Sequence, residues 1–118
     1  MKYIITESRL NDIIFKYLNN IEWEVEDYSD WDMTRLFFKG ESQFPEHAIF
    51  ESYNEQDVID NEQGGHEIVK VLLINREFYN QIKNLFGLDH RESHSILISW
   101  YENYTNETID DKSLGFID

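Results

Sequence analysis

Residues 67–87 read EIVKVLLIN followed by REFYNQIKNLFG, and this stretch decides the fold. Its first part is an almost continuous apolar run, which is typical of a central β-strand that is covered on both faces. Its second part places apolar side chains at helical spacing, namely Phe78, Ile82, Leu85 and Phe86. Asn75 can cap this helix and Gly87 can end it. The stretch therefore predicts a buried strand over residues 67–74 that leads directly into a helix.

A second C-terminal helix is predicted over residues 90–104. Asp89 and Glu92 occupy the two positions of a capping box at its start. Apolar residues again recur at helical spacing: Ile96, Leu97, Trp100, Tyr101 and Tyr104. The C-terminal helical part thus covers residues 75–104. The polar tail that follows, 105–118, is predicted either to fray or to add a short edge strand.

The N-terminal part of the chain predicts a helix over residues 7–19. Its apolar residues lie on one helical face: Leu10, Ile13, Ile14, Tyr17, Leu18 and Ile21. Thr6 is the expected N-cap, because its hydroxyl can accept a hydrogen bond from an unpaired amide of the first turn. Ile5 and Leu10 would then form a hydrophobic staple.

Between the helical parts, residues 22–67 show shorter apolar periods that predict an acidic antiparallel meander. Trp23 and Val25 alternate with glutamates, which indicates a first strand with one solvated, acidic face. The remaining elements of the meander are two strands, at 33–39 and near 47–53, and a loop, 54–66, with a short helical turn around Val58 and Ile59.

These elements predict one domain of α+β class that spans residues 1–118. We expect a small antiparallel sheet of about four strands, packed against the N-terminal helix and the two C-terminal helices. The chain is 41% hydrophobic and 15% aromatic, which excludes a largely disordered protein. It has no cysteine, so disulfides, thiolate metal sites and a cysteine nucleophile are excluded.

The charge of the chain is strongly negative and uneven. The net charge is −14, and residues 22–67 alone, termed the acidic segment, hold 14 acidic and two basic residues. Such a chain repels phosphate backbones, so direct nucleic-acid binding is disfavoured. We expect the acidic segment to meet a protein partner with a basic surface, such as a nucleic-acid-binding or defence protein. The alternative is a solvated face that only prevents aggregation.

The candidate partner-binding residues lie in the first strand and in the turn after it. They are Glu22, Glu24, Glu26, Asp27, Asp30, Trp31 and Asp32. The alternation of a β-strand puts Glu22, Glu24 and Glu26 on one face. Trp31 stands between two aspartates in a predicted turn, and an exposed tryptophan with an acidic rim is a typical interface anchor. The alternative is that Trp31 folds back over the edge of the sheet.

No motif predicts catalysis or a cofactor. His90 and His94 share the spacing of a zinc-protease helix, but Arg91 stands where that motif has glutamate. A zinc site would also need a third protein ligand, which the sequence does not identify. We therefore expect two surface histidines, no metal and no enzymatic activity, and a metal-dependent hydrolase is the weakest alternative.

The N-terminal stretch MKYIITESRL at residues 1–10 leads straight into an amphipathic helix. Together with FYNQIKNLFGL at 78–88 and WYENY at 100–104, it resembles short uncharacterised accessory proteins encoded by tailed bacteriophages. The resemblance carries no catalytic motif. It implies a small accessory protein that acts in the cytoplasm of an infected bacterial cell or in the virion.

The sequence thus favours a non-enzymatic protein that acts through protein–protein interaction. The alternative is a virion structural or assembly component, or a homo-oligomer joined through its aromatic residues. No stretch approaches the roughly 18 apolar residues of a membrane span, and no secretion signal is recognisable. We therefore expect neither membrane insertion nor export.

Overall fold

The computed structural model describes residues 7–28, 32–58 and 66–118, and these ranges form an α+β architecture. The helices are α1 (Glu7–Asn19), α2 (Arg76–Phe86) and α3 (His90–Thr105). The strands are β1 (Trp23–Tyr28), β2 (Met33–Phe38), β3 (Phe50–Val58), β4 (His66–Asn75) and β5 (Gly115–Ile117). The predicted class and the three predicted helices are confirmed. None of the described helices has the length and apolar character that a bilayer crossing requires.

The strands form one sheet in the order β1–β2–β3–β4–β5. The first four run antiparallel to their neighbours, as the meander predicts, and β5 lies parallel to β4. The sheet therefore has one strand more than expected, and the tail supplies it. Gly115 of β5 pairs with Leu73 of β4, and a side chain at this glycine would collide with the Leu73 side chain. The missing side chain lets the tail approach β4 closely.

The β3–β4 hairpin is longer than the sequence indicates. The two strands stay paired along their whole length, and the last described pair joins Val58 and His66. The predicted loop over 54–66 and its helical turn at Val58 are therefore wrong, because residues 54–58 continue the strand; the remainder of that loop lies outside the described residues. Residues 54–58 are mostly polar, which is typical of a loop. Backbone hydrogen bonds to β4 nevertheless keep them in the sheet, because strand pairing does not require apolar side chains.

Two further strand predictions need correction. The strand predicted near 47–53 begins only at Phe50, because Pro45–His47 forms a 3₁₀ turn in front of it. Proline has no amide hydrogen for a sheet and its fixed φ suits the first turn of a helix. β4 is not covered along its whole length, since Ile68 near its start is 69% exposed.

The main core lies between one face of the sheet and the three helices. Leu36, Phe50 and Ile74 form a cross-strand row on this face, and all three are fully buried. The helices cover this row with buried side chains from their predicted apolar faces, including Ile14, Leu18, Ile82, Leu97, Trp100 and Tyr101. Other members of those apolar faces stay exposed at the rim: Ile13, Tyr17 and Leu85. The helical periods thus identify the packed faces but overestimate their width.

The predicted caps of the two C-terminal helices are formed. The Asn75 side chain accepts a hydrogen bond from a backbone amide in the first turn of α2, at 2.9 Å. Asp89 and Glu92 form both hydrogen bonds of the capping box at the start of α3. Gly87 adopts the left-handed conformation that ends α2. The predicted cap and staple partner of α1, residues 5–6, lie outside the described residues.

The tail after α3 is held against the sheet by backbone and charged contacts. The amides of Asp110 and Asp111 donate to the Lys70 carbonyl at 3.0 and 3.1 Å. The Arg76 side chain donates to the Asp118 carboxylate at 2.6 Å. Of the two outcomes predicted for this tail, the edge strand is the one that forms.

Candidate protein-docking surface

The β1–β2 hairpin holds or adjoins both basic residues of the acidic segment, and both are paired. Lys39 approaches Glu22 to 3.1 Å, with both side chains exposed. Arg35 donates to Glu51 of β3 at 2.5 Å, and its guanidinium lies 5.3 Å from the ring centre of Tyr28. Both cations are therefore engaged in ion pairs within the protein.

Glu24 is fixed by hydrogen bonds at the base of the hairpin. It accepts a hydrogen bond from the Gly40 backbone amide at 2.5 Å and another from Ser42. The Ser42 hydroxyl and then the Gly40 amide lower the pKa of Glu24. Gly40 reaches this position with a φ of 88°, a conformation that strains residues with a side chain. Glu24 is thus stabilised in its charged form and oriented by its neighbours.

Strand alternation divides the acidic residues of the hairpin between two faces. Glu24 and Glu26 lie on the face that turns away from the helices, so the sequence correctly places these two together. Asp27 lies on the other face, with Trp23, whose ring is 5.4 Å from that of Trp100 in α3. The predicted set therefore lies on both sides of the hairpin.

The carboxylates of Glu26, Asp27 and Asp32 make no ion pair or hydrogen bond with the residues that the structure describes. Asp32 directly precedes β2 with a φ of 49°, a left-handed conformation that aspartate tolerates. Glu22 precedes β1 and has its ion pair at the base of the hairpin. The other predicted residues, which lie outside the described ranges, are Asp30 and Trp31. Three of the seven predicted residues thus offer charge that nothing described neutralises.

A groove of about 370 Å³ lies between the hairpin and the end of α3. Asp27 and Asp32 line it on the hairpin side. Val25 is 50% exposed and Tyr104 is 39% exposed, so two apolar side chains lie open beside the two carboxylates. Protein interfaces combine apolar contact of this kind with a charged rim. This groove is termed the hairpin surface, and Glu26 lies outside it on the opposite face of the hairpin.

The groove also contains a cation that is engaged within the protein. Lys70 Nζ donates to Glu107 Oε1 at 2.6 Å, and Ser52 Oγ donates to the same oxygen at 3.0 Å. The Tyr101 hydroxyl lies 2.6 Å from Ser52 Oγ, and burial raises the pKa of Tyr101. Burial acts to raise the pKa of Glu107, but the hydrogen bond and charge of Lys70, together with the hydrogen bond from Ser52, leave that pKa below its ordinary value. The network links the tail to the sheet and to α3.

Sequence reasoning missed this network and the open apolar side chains of the groove. Lys70 and Glu107 are 37 residues apart, so no local pattern joins them. Tyr104 continues the apolar period of α3, which predicts burial. Strand alternation is the one sequence pattern that points to the groove, because it puts Val25 and Asp27 on the same face of β1.

His90 and His94 lie together in α3 with ring centres 4.1 Å apart, as their spacing predicts. His90 Nδ1 lies 2.9 Å from the Tyr79 hydroxyl, and His94 Nδ1 accepts from the Leu114 amide at 3.3 Å. His94 is partly buried, so it is not the surface histidine that the sequence indicates; burial and then His90 lower the pKa of His94. Within the described ranges, no group of three His, Cys, Asp or Glu residues is placed for a metal ion.

The hairpin surface places two carboxylates beside exposed apolar side chains. Comparison with protein-family models, with curated proteins and with solved structures finds no match for this chain.

Proposed function

We propose that this chain is a small, non-enzymatic, phage-type accessory protein that binds a basic surface of a protein partner through the hairpin surface. The observation that carries the proposal is the unneutralised charge, since the net charge is −14 and both cations of the acidic segment are paired internally. A protein that binds nucleic acid presents clustered Lys and Arg side chains, which complement such a surface. A nucleic-acid-binding or defence protein of the infected cell is therefore the proposed partner.

Electrostatic attraction acts mainly on the rate of such an encounter. Opposite fields steer two proteins together and raise the association rate by roughly 10- to 1,000-fold. Salt screens these fields over about 10 Å at 0.1 M, so association slows as salt is added. The apolar contacts of Val25 and Tyr104 are not screened in this way. Salt should therefore change the association rate of the complex far more than its dissociation rate.

The decisive experiment compares the wild-type chain with two variants that each remove two charges. The hairpin variant carries Asp27→Asn and Asp32→Asn. The control variant carries Asp12→Asn and Glu55→Gln, which are exposed acidic residues outside the hairpin. Each immobilised chain is exposed to bacterial lysate at about 0.05 M and about 0.5 M salt, conditions with long and short screening lengths.

We expect the wild-type chain and the control variant to capture the same basic protein at low salt and to release it at high salt. The hairpin variant should capture roughly tenfold less, because two charges near the contact are lost. Equal capture by the hairpin and control variants, or capture that salt does not change, would show the proposal to be wrong.

The exposed apolar side chains of α1 and α2 favour a second candidate, a homo-oligomer or virion component. Ile13, Tyr17 and Leu85 are exposed, and the Tyr17 ring packs edge-on against Phe86 with ring centres 5.5 Å apart. Two copies with a net charge of −14 each repel one another, which weighs against self-association. Light scattering tests the homo-oligomer, and mass spectrometry of purified particles tests the virion component. A monomer that is absent from particles would reject this candidate.

A further inference from the structure

A cleft of about 340 Å³ lies at the end of the hairpin opposite to the groove. It is formed by the end of β2, the 3₁₀ turn and the start of α2, and it is termed the acidic cleft. Its floor and rim are formed by Phe38, Ile49, Phe78, Glu41, Glu46 and Glu77. Its volume is at the lower end of the roughly 300–1,000 Å³ that binding pockets span, which suits a single anchoring side chain.

The floor of the acidic cleft is a supported aromatic surface. Phe38 is 37% exposed, and its ring is packed against Trp23 at 5.4 Å and against Phe78 at 5.8 Å between ring centres. Ile49 and Phe78 are buried members of the main core. A ligand would therefore meet a surface that is already formed, which reduces the entropy lost on binding.

The rim of the acidic cleft is negative and comes from three parts of the chain. Glu41 follows β2, Glu46 lies in the 3₁₀ turn and Glu77 lies in the first turn of α2. His47 Nδ1 lies 2.7 Å from Glu41 Oε2, whereas Glu46 and Glu77 make no ion pair or hydrogen bond with described residues. No lysine or arginine is among the described residues that line the cleft. Two unpaired carboxylates thus border an open aromatic ring.

We propose that the acidic cleft binds an arginine side chain carried by a segment of the basic partner, an inference that rests on the proposed function. The guanidinium plane stacks on the Phe38 ring, and its N–H groups donate to Glu46 and Glu77. Arginine suits this site better than lysine, because its planar cation is weakly hydrated and has five donors in a fixed fork.

Other occupants fit the acidic cleft less well. An apolar side chain alone would remove water from the rim carboxylates without pairing them, which is unfavourable. An anionic ligand would be repelled by the three glutamates. A second copy of the chain would bring its own net charge of −14 to the same place. Charge complementarity therefore selects a cationic segment with apolar character.

The test measures binding of a short fluorescein-labelled peptide of alternating arginine and leucine to the full chain, by fluorescence anisotropy at low salt. A matched peptide carries citrulline, the neutral isostere of arginine, and a third carries lysine. The cleft variant carries Glu46→Gln and Glu77→Gln, which preserve side-chain shape and remove two charges. The hairpin and control variants described above complete the set.

We expect the cleft variant to bind the arginine peptide about tenfold more weakly than the wild-type chain does, because two charge-assisted hydrogen bonds are weakened. Phe38→Ala should weaken binding about threefold or more through the lost cation–π contact. The control variant should bind like the wild type, and the lysine peptide should bind more weakly than the arginine peptide. The citrulline peptide should not distinguish the wild type from the cleft variant.

Equal binding of the arginine peptide by the wild type and the cleft variant would overturn this inference. It would also be overturned if the wild type bound the citrulline peptide as tightly as the arginine peptide. Self-association that the cleft variant abolishes would make a second copy the occupant and would overturn it as well. The proposed function survives such a result if the hairpin variant still loses the lysate partner. If the hairpin variant also captures the lysate partner like the wild type, both the proposed function and this inference are wrong.

Discussion

Replacing Glu107 with alanine is the sharpest test of how the tail is held to the sheet. The substitution removes the ion pair with Lys70 and the hydrogen bond from Ser52. The Lys70 and Glu107 side chains are only 23% and 15% exposed, so water replaces the lost partner poorly. Removing one member of a buried pair costs about 3–5 kcal/mol, and the residual exposure here reduces the expected loss to about 2–3 kcal/mol. For a domain of this size, the melting temperature should fall by about 8–12 °C.

Urea unfolding at neutral pH, followed by tryptophan fluorescence, measures this loss, because Trp23 and Trp100 pack in and against the main core. The same measurement on Lys70→Met and on the double variant completes a double-mutant cycle. The double variant leaves no unpaired buried charge. Its loss in free energy of unfolding should therefore be smaller than the sum of the two single losses by at least about 1 kcal/mol. A loss below about 0.5 kcal/mol for the alanine variant at Glu107, or full additivity, would refute the reasoning.

Three further predictions concern pH dependence, close packing and capping. Because the pKa of His94 is lowered in the folded protein, the unfolded chain takes up a proton at this side chain at a higher pH than the folded chain does. The free energy of unfolding should therefore decrease as the pH falls below the ordinary histidine value of 6.5. Urea midpoints above and below that pH should show this loss, and His94→Gln should reduce it; an unchanged pH dependence would contradict the assignment. Gly115→Ala should cost about 1–3 kcal/mol because the new side chain meets Leu73, whereas Lys112→Ala, at an exposed position, should cost under about 0.5 kcal/mol in the same assay. Equal losses in these two variants would be inconsistent with close packing of β5. Asn75→Ala should cost about 1 kcal/mol through the lost cap of α2, and Asn75→Asp should restore most of it; no difference between them would refute the capping role.

Local chemistry explains the parts of the fold that the sequence predicts well. α1 spans Glu7–Asn19 as its apolar period indicates, and α2 and α3 begin directly after Asn75 and Asp89. Side-chain spacing and capping act within a few residues, so a single sequence contains the whole signal. The shared face of Glu24 and Glu26 follows from strand alternation in the same way.

The features that the sequence did not predict depend on residues that are distant in the chain. Residues 54–58 are polar like a loop, yet they pair with β4 because that strand folds back along them. The sequence leaves open whether the tail frays or forms an edge strand, because β5 depends on Gly115 fitting beside the distant Leu73. The acidic cleft likewise joins Phe38 of β2 to Phe78 of α2. Hydrophobic period and charge count describe each segment but not which segments meet.

The association rate of the captured partner tests most directly whether the carboxylates of the hairpin surface steer docking. The rate is measured with the wild-type chain, the hairpin variant and the control variant over a range of salt concentrations. We expect the wild-type and control rates to be equal and to fall steeply with salt, and the hairpin variant to start lower and to depend less on salt. A hairpin variant that associates as fast as the wild type at low salt, or a chain that captures no basic partner, would contradict the account.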